Sequence, residues 1–149
     1  MKNNKGITLV AVILTVIILS LLAGVIVYNI DKTYENSSIV QFTSYMKMIQ
    51  KKVDFYVEEG TNYETLGQAL NSSNKKILQD IINKDSENLI STTDVNSSKL
   101  RYFNSSDIYE DFEIADINDE IIVNFENREV ISLKGVERDG KKYYVENGL

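Results

Sequence analysis

Hydrophobic and polar positions divide the chain into three regimes. From Ile7 to Ile30, 24 consecutive residues carry no charge, and apolar side chains surround the helix on all sides. At ~1.5 Å per residue such a run is about 36 Å long, against a hydrocarbon core of about 30 Å. It is too long for a cleaved secretory signal, whose apolar region has ~7–15 residues, and Leu21-Leu22-Ala23 puts leucine where a small residue belongs. With no polar face it does not suit a helix buried in a soluble domain. A plain signal anchor fits the length, so a transmembrane first half is expected.

From Asp31 the chain turns polar while keeping a helical period. Ile39, Phe42, Met46, Ile49, Val53 and Tyr56 recur at spacings of three and four, which puts them on one face. No glycine or proline interrupts Asp31–Glu59, and Gly60 is a natural stop just past the helix end. One continuous helix of about 50 residues is expected, apolar all round and then amphipathic. A stripe of under three heptads favours packing onto its own domain over a coiled coil.

The third regime mixes short elements. Thr61-Asn62-Tyr63-Glu64 has capping-box spacing and predicts a short helix to Leu70; Asn74 is a candidate cap for another, with Ile77, Leu78, Ile81 and Ile82 on one face. Residues 83–98 read as a polar loop, and Leu100–Ile114 is ambiguous between strand and helix. Glu120–Phe125, Val130–Leu133 and Lys142–Glu146 are β-rich and separated by turn signals, including Asp139-Gly140; Gly135 suggests a bulge. These three strands predict an antiparallel meander covered by the stripe. The expected class is α+β: a long N-terminal helix packed on a small C-terminal antiparallel sheet.

Charge sharpens this division. Residues 1–30 contain Lys2 and Lys5 and no acid, which leaves −8 for residues 31–149. Basic residues ahead of an apolar run keep that end cytoplasmic. The acidic remainder disfavours nucleic acid, whose phosphates need clustered cations; Lys47, Lys51 and Lys52 are the nearest approach to one. The chain has no cysteine, histidine, tryptophan or proline. Disulfides, thiolate metal sites and Ser-His or Cys-His catalysis are thereby excluded. No cofactor and no enzymatic role is expected. Paired carboxylates such as Asp116 and Glu120 lack a nucleophile beside them.

Lys5-Gly6-Ile7-Thr8-Leu9-Val10, followed by some 20 apolar residues, resembles the type IV prepilin signal of type IV pilins and type II secretion pseudopilins. The specific resemblance covers residues 5–28 and is architectural beyond them. It implies a leader of residues 1–6, a transmembrane and filament-core helix of residues 7–30, and an extracytoplasmic domain of residues 31–149 that includes the amphipathic helix 31–59. It further implies that a prepilin peptidase cuts between Gly6 and Ile7 and that Ile7 becomes the N-methylated mature terminus. Ile7, Thr8, Leu9, Val10 and Ala11 would begin the assembly helix. The implied partners are other pilin or pseudopilin subunits, the peptidase, and membrane lipid before assembly. The implied location is the cell membrane, single-pass with the N-terminus cytoplasmic, and then an extracellular filament.

One departure stands out. The family pattern has glutamate at the fifth mature position, and here that residue is Ala11. Two explanations stand: a minor or tip subunit, or a branch of the low-GC Gram-positive type, which the missing C-terminal cysteines also suit. An uncleaved single-pass anchor presenting an extracellular binding domain is the competing reading.

Other features have plain readings. The acids from Asp107 to Glu120 are expected to form a solvated loop, with Ca²⁺ binding as the alternative. Four Asn-Ser-Ser triplets match a glycosylation pattern by chance in an Asn/Ser-rich chain. Thr8, Thr15 and Ser20 are expected to bond back to carbonyls one turn earlier.

Overall fold

The structure, a computed structural model, describes the backbone of residues 5–149 and the side chains of these except 5–8, 25–29 and 31. The chain divides into two units, Met1–Ser37 and Ser38–Leu149.

Helix α1 runs Lys5–Glu58. Its end is set by Gly60, which takes φ +68°. Thr61 N–H donates to the Tyr56 carbonyl at 2.9 Å and Gly60 N–H to the Val57 carbonyl at 3.3 Å. This pair of bonds satisfies the last carbonyls of the helix, and the left-handed turn it needs suits glycine.

The fold-class expectation needs correction in two respects. First, the apolar portion of α1 with described side chains is Leu9–Gly24, about 24 Å at helical rise. Among the described residues no helix is long and apolar enough to cross a membrane, so a transmembrane first half over residues 7–30 does not stand. Second, the strands do not form one small C-terminal sheet. Four of them make an antiparallel sheet in the order β1-β2-β3-β4, and the last two make a separate hairpin.

In the four-stranded sheet, β1 is Gln68–Ala69, β2 Leu100–Phe103, β3 Ile121–Asn124 and β4 Glu129–Ser132. Mid-chain segments therefore supply half its strands. Tyr102 lies opposite Gln68 on one side and Ile122 on the other, while Val123 pairs with Val130. The hairpin joins β5 Val136–Arg138 to β6 Lys141–Tyr143. Asp139 and Gly140 take φ +50° and +75°, the double positive turn whose twist matches paired strands. Gly135, with φ +65°, separates β4 from β5 instead of forming a bulge within one strand.

Local corrections follow the same lines. Thr61–Leu70 is not a capped helix: Asn62 caps a single 3₁₀ turn, Tyr63–Thr65, and Gln68–Ala69 joins the sheet edge. Helix α2, Ser72–Lys84, is capped by Asn71, whose side chain accepts from the Asn74 N–H at 2.8 Å; Asn74 itself is not the cap. The ambiguous stretch splits into β2 and α3, Ser105–Phe112, with a reciprocal capping box between Asn104 and Asp107.

The sheet of the second unit is packed on both faces. Phe103, Ile121, Val123 and Val130 face Phe42, Met46, Ile49 and Val53 of α1 and Ile108 and Phe112 of α3. Leu100, Ile122 and Ile131 face Leu78 and Ile81 of α2, with Ile90 and Val145. Successive strand residues point to opposite faces, so β3 is buried throughout and carries the continuous apolar run of a doubly covered strand. Each fully buried aliphatic side chain here contributes about 1.5–3 kcal/mol of transfer free energy.

Candidate functional site

The residues singled out by sequence fall in two places. Gly6, Ile7 and Thr8 lie in the backbone of α1, and their side chains, like the leader residues 1–4, lie outside the described residues. Leu9, Val10 and Ala11 begin a stretch in which every residue to Gly24 is exposed. Its large apolar side chains, from Leu9 to Leu22, are 48–66% exposed. That surface is apolar all round, so it needs a cover of lipid or protein.

The hydroxyls inside this stretch make no demand on a partner. Thr15 Oγ1 donates to the Ala11 carbonyl and Ser20 Oγ to the Val16 carbonyl, both at 2.8 Å. A helix that satisfies its own polar groups presents only van der Waals surface to neighbours. Ala11 keeps that surface free of charge.

The stripe lies in the second unit. Phe42, Met46, Ile49 and Val53 are buried, and Ile39 and Tyr56 are partly buried against the same cluster. Tyr56 also donates its hydroxyl to the Asp111 carbonyl. Phe103 and Phe112 meet with ring centroids 4.8 Å apart and planes tilted by 45° in the same cluster.

Two carboxylates that local sequence reading passes over hold this unit together. Asp119 is 6% exposed. Its Oδ2 accepts from the Tyr45 hydroxyl and from Ser132 Oγ, each at 2.5 Å. Its Oδ1 accepts from the backbone N–H groups of Glu120 at 2.7 Å and Lys134 at 3.2 Å. Ser132 Oγ in turn accepts from the Gly135 N–H at 2.7 Å. One carboxylate thus ties α1 to the start of β3 and the end of β4. Burial, reinforced by the Asp119 carboxylate, pushes the Tyr45 phenol well above the ordinary tyrosine range.

Glu129 does the same for the long loop. It accepts from Ser91 N–H at 2.7 Å and Oγ at 3.0 Å, and from Thr92 N–H at 2.8 Å and Oγ1 at 2.5 Å. Asn124 Nδ2 donates to Thr92 Oγ1 at 3.0 Å. The polar segment 83–98 is therefore anchored at Ser91 and Thr92, next to the buried Ile90.

The acidic stretch is only partly the solvated loop expected. Asp107 serves the α3 cap and accepts from Gln68 Nε2 at 2.8 Å, and Asp111 accepts from the Gly67 N–H at 2.7 Å. With Asp119 they face inward onto donors of the protein. Among the described residues no three acidic groups converge to hold a metal ion. No signal within any short window marks Asp119 or Glu129, because their partners lie as far as 74 and 38 residues away.

Against known proteins, no family model, no curated protein and no solved structure matches the chain.

Proposed function

We propose that the chain is a structural subunit, a pilin or pseudopilin, of a type IV pilus-like or type II secretion-like filament. The observation that carries this reading is the junction Lys5-Gly6-Ile7-Thr8 set directly ahead of an uncharged helical surface exposed on every side. Copies of such a helix bury that surface by packing against one another, and lipid covers it beforehand at the cell membrane. A prepilin peptidase removes residues 1–6 and exposes Ile7 as the mature terminus. The acidic domain then faces outward from an extracellular filament. Its doubly covered sheet suits a load-bearing module, since each face is a separate core.

N-terminal sequencing of the chain made in cells with and without a prepilin peptidase tests the proposal. The expected start is Ile7 with the enzyme and Met1 without it. A chain that begins at Met1 in both refutes processing. Gly6→Glu is expected to leave uncut precursor at the membrane, because a side chain there obstructs backbone entry into a narrow cleft.

A further inference from the structure

Within the second unit α1 has another face. Val40, Met48 and Phe55 lie on the side opposite the buried stripe and are 70%, 45% and 55% exposed. Beside Met48, the helix and the segment after α3 form an open groove of about 450 Å³, lined by Met48, Ile114 and Ala115 and rimmed by Lys51, Lys52 and Glu113. Lys52 is paired with Glu113 at 3.0 Å. Among the described residues Lys51 has no ion pair or hydrogen bond from its ammonium.

The complementary feature stands on α3. Tyr109 is 62% exposed, and the next residue, Glu110, is exposed and among the described residues has no ionic partner either. The molecule therefore offers an apolar groove with a free cation and an aromatic knob with a free anion.

We propose that Tyr109 of one copy seats in the Met48–Ile114 groove of a neighbouring copy, with its Glu110 meeting the neighbour's Lys51. Tyrosine supplies a large contact area with only two torsions to freeze, which suits it as an anchor. The charge pair sets orientation more than affinity and weakens with salt. Used head to tail, knob into the next copy's groove, the contact repeats without closing, as an open helical polymer requires, whereas reciprocal use by two copies would close a dimer. The inference deepens the filament reading and rests on it.

The absence of cysteine makes thiol cross-linking free of background. Ser106→Cys and Ala115→Cys, together in the full-length chain, put thiols beside knob and groove and leave Tyr109, Glu110, Met48 and Lys51 in place. Mild oxidation of sheared filaments or of cells is expected to give a ladder of dimers and higher multimers, and neither single variant gives one. Adding Lys51→Glu is expected to lower multimer yield about fivefold, the factor that accompanies roughly 1 kcal/mol, and adding Glu110→Lys to that chain to restore it. Filaments that yield no links, dimers alone, or a ladder indifferent to Lys51→Glu overturn the contact and leave the filament reading standing. A ladder from chains that still begin at Met1 supports the contact and removes the filament reading. Neither ladder nor filaments overturns both.

Discussion

Asp119 gathers four hydrogen bonds onto one buried carboxyl group. Asp119→Ala removes an acceptor from two hydroxyls, Tyr45 and Ser132, each at 2.5 Å, and from two backbone N–H groups. Hydrogen bonds to a charged group are worth about 1.5–3 kcal/mol each, and a donor left buried without a partner costs about 1–3 kcal/mol. Water entering the vacated space and the relief of burying a carboxylate offset part of this. A net loss of roughly 3 kcal/mol is expected, a large part of the ~5–15 kcal/mol typical of a domain. Tyr45→Phe removes one donor and leaves the carboxylate three others, so it is expected to cost about 1.5–2 kcal/mol. The two changes share a partner and should not add: in the Asp119→Ala chain, Tyr45→Phe is expected to be near neutral, since it deletes an orphaned hydroxyl. Urea unfolding of the full-length chain in mild detergent, followed by tyrosine fluorescence, measures all four corners of the cycle. At an m-value of ~1–3 kcal/mol/M the Asp119→Ala midpoint falls by about 1–3 M. Additive effects of the two variants, or a loss under about 1 kcal/mol for Asp119→Ala, would refute the claim that this carboxylate ties α1 to the sheet.

The same site predicts alkaline sensitivity. Burial and then the Asp119 carboxylate raise Tyr45 above the ordinary range, and burial and then Glu120 push Tyr102 up to about 12. A raised pKa in the folded state means that the native chain holds protons the unfolded chain releases above pH ~10, so this stabilisation is complete below pH ~10 and is lost as pH rises further. Unfolding free energy is expected to fall across pH 10–12, less steeply in Tyr45→Phe; a flat profile there contradicts the assignment. Gly67→Ala is expected to lower Tm by several degrees, because φ is +49° and an added Cβ would stand 2.5 Å from the Tyr102 carbonyl and 2.7 Å from the Phe103 ring. Differential scanning calorimetry checks it, and an unchanged Tm would show that the β1 edge yields freely. Ile49→Asp puts an unpaired charge at a position with no exposure and is expected to abolish cooperative unfolding of residues 38–149. Cleavage at Gly6 should persist in that variant, so loss of both together would mean that processing reads the folded domain.

Local physics was legible in the chain wherever one element's own period or turn chemistry decided the outcome. The spacing of Phe42, Met46, Ile49 and Val53 marks a helix face, and the structure buries all four. Gly60 and Asp139-Gly140 mark a helix stop and a tight turn, because positive φ is inexpensive only for a few residue types. Ile121-Ile122-Val123 marks a strand by its β-branched content, while its second cover, Leu78 and Ile81 of α2, is supplied by the tertiary structure. The uncharged run before Asp31 likewise needs no tertiary information to be recognised as a surface that water will not cover.

What only the tertiary structure decided depends on partners distant in sequence. Gln68–Ala69 pairs with Tyr102 and Arg101 as an edge strand, although its own residues read as the end of a helix; ladder bonds to a preformed neighbour outweigh propensity over two residues. The last strand leaves the meander because Gly135 turns the chain away from β4 before Val136. Asp119 and Glu129 look like surface acids among many, and they become anchors only because folding brings donors from tens of residues away onto them. Periodicity and turn chemistry act between near neighbours and so are written locally, whereas a buried carboxylate is stable only where the completed fold supplies its donors.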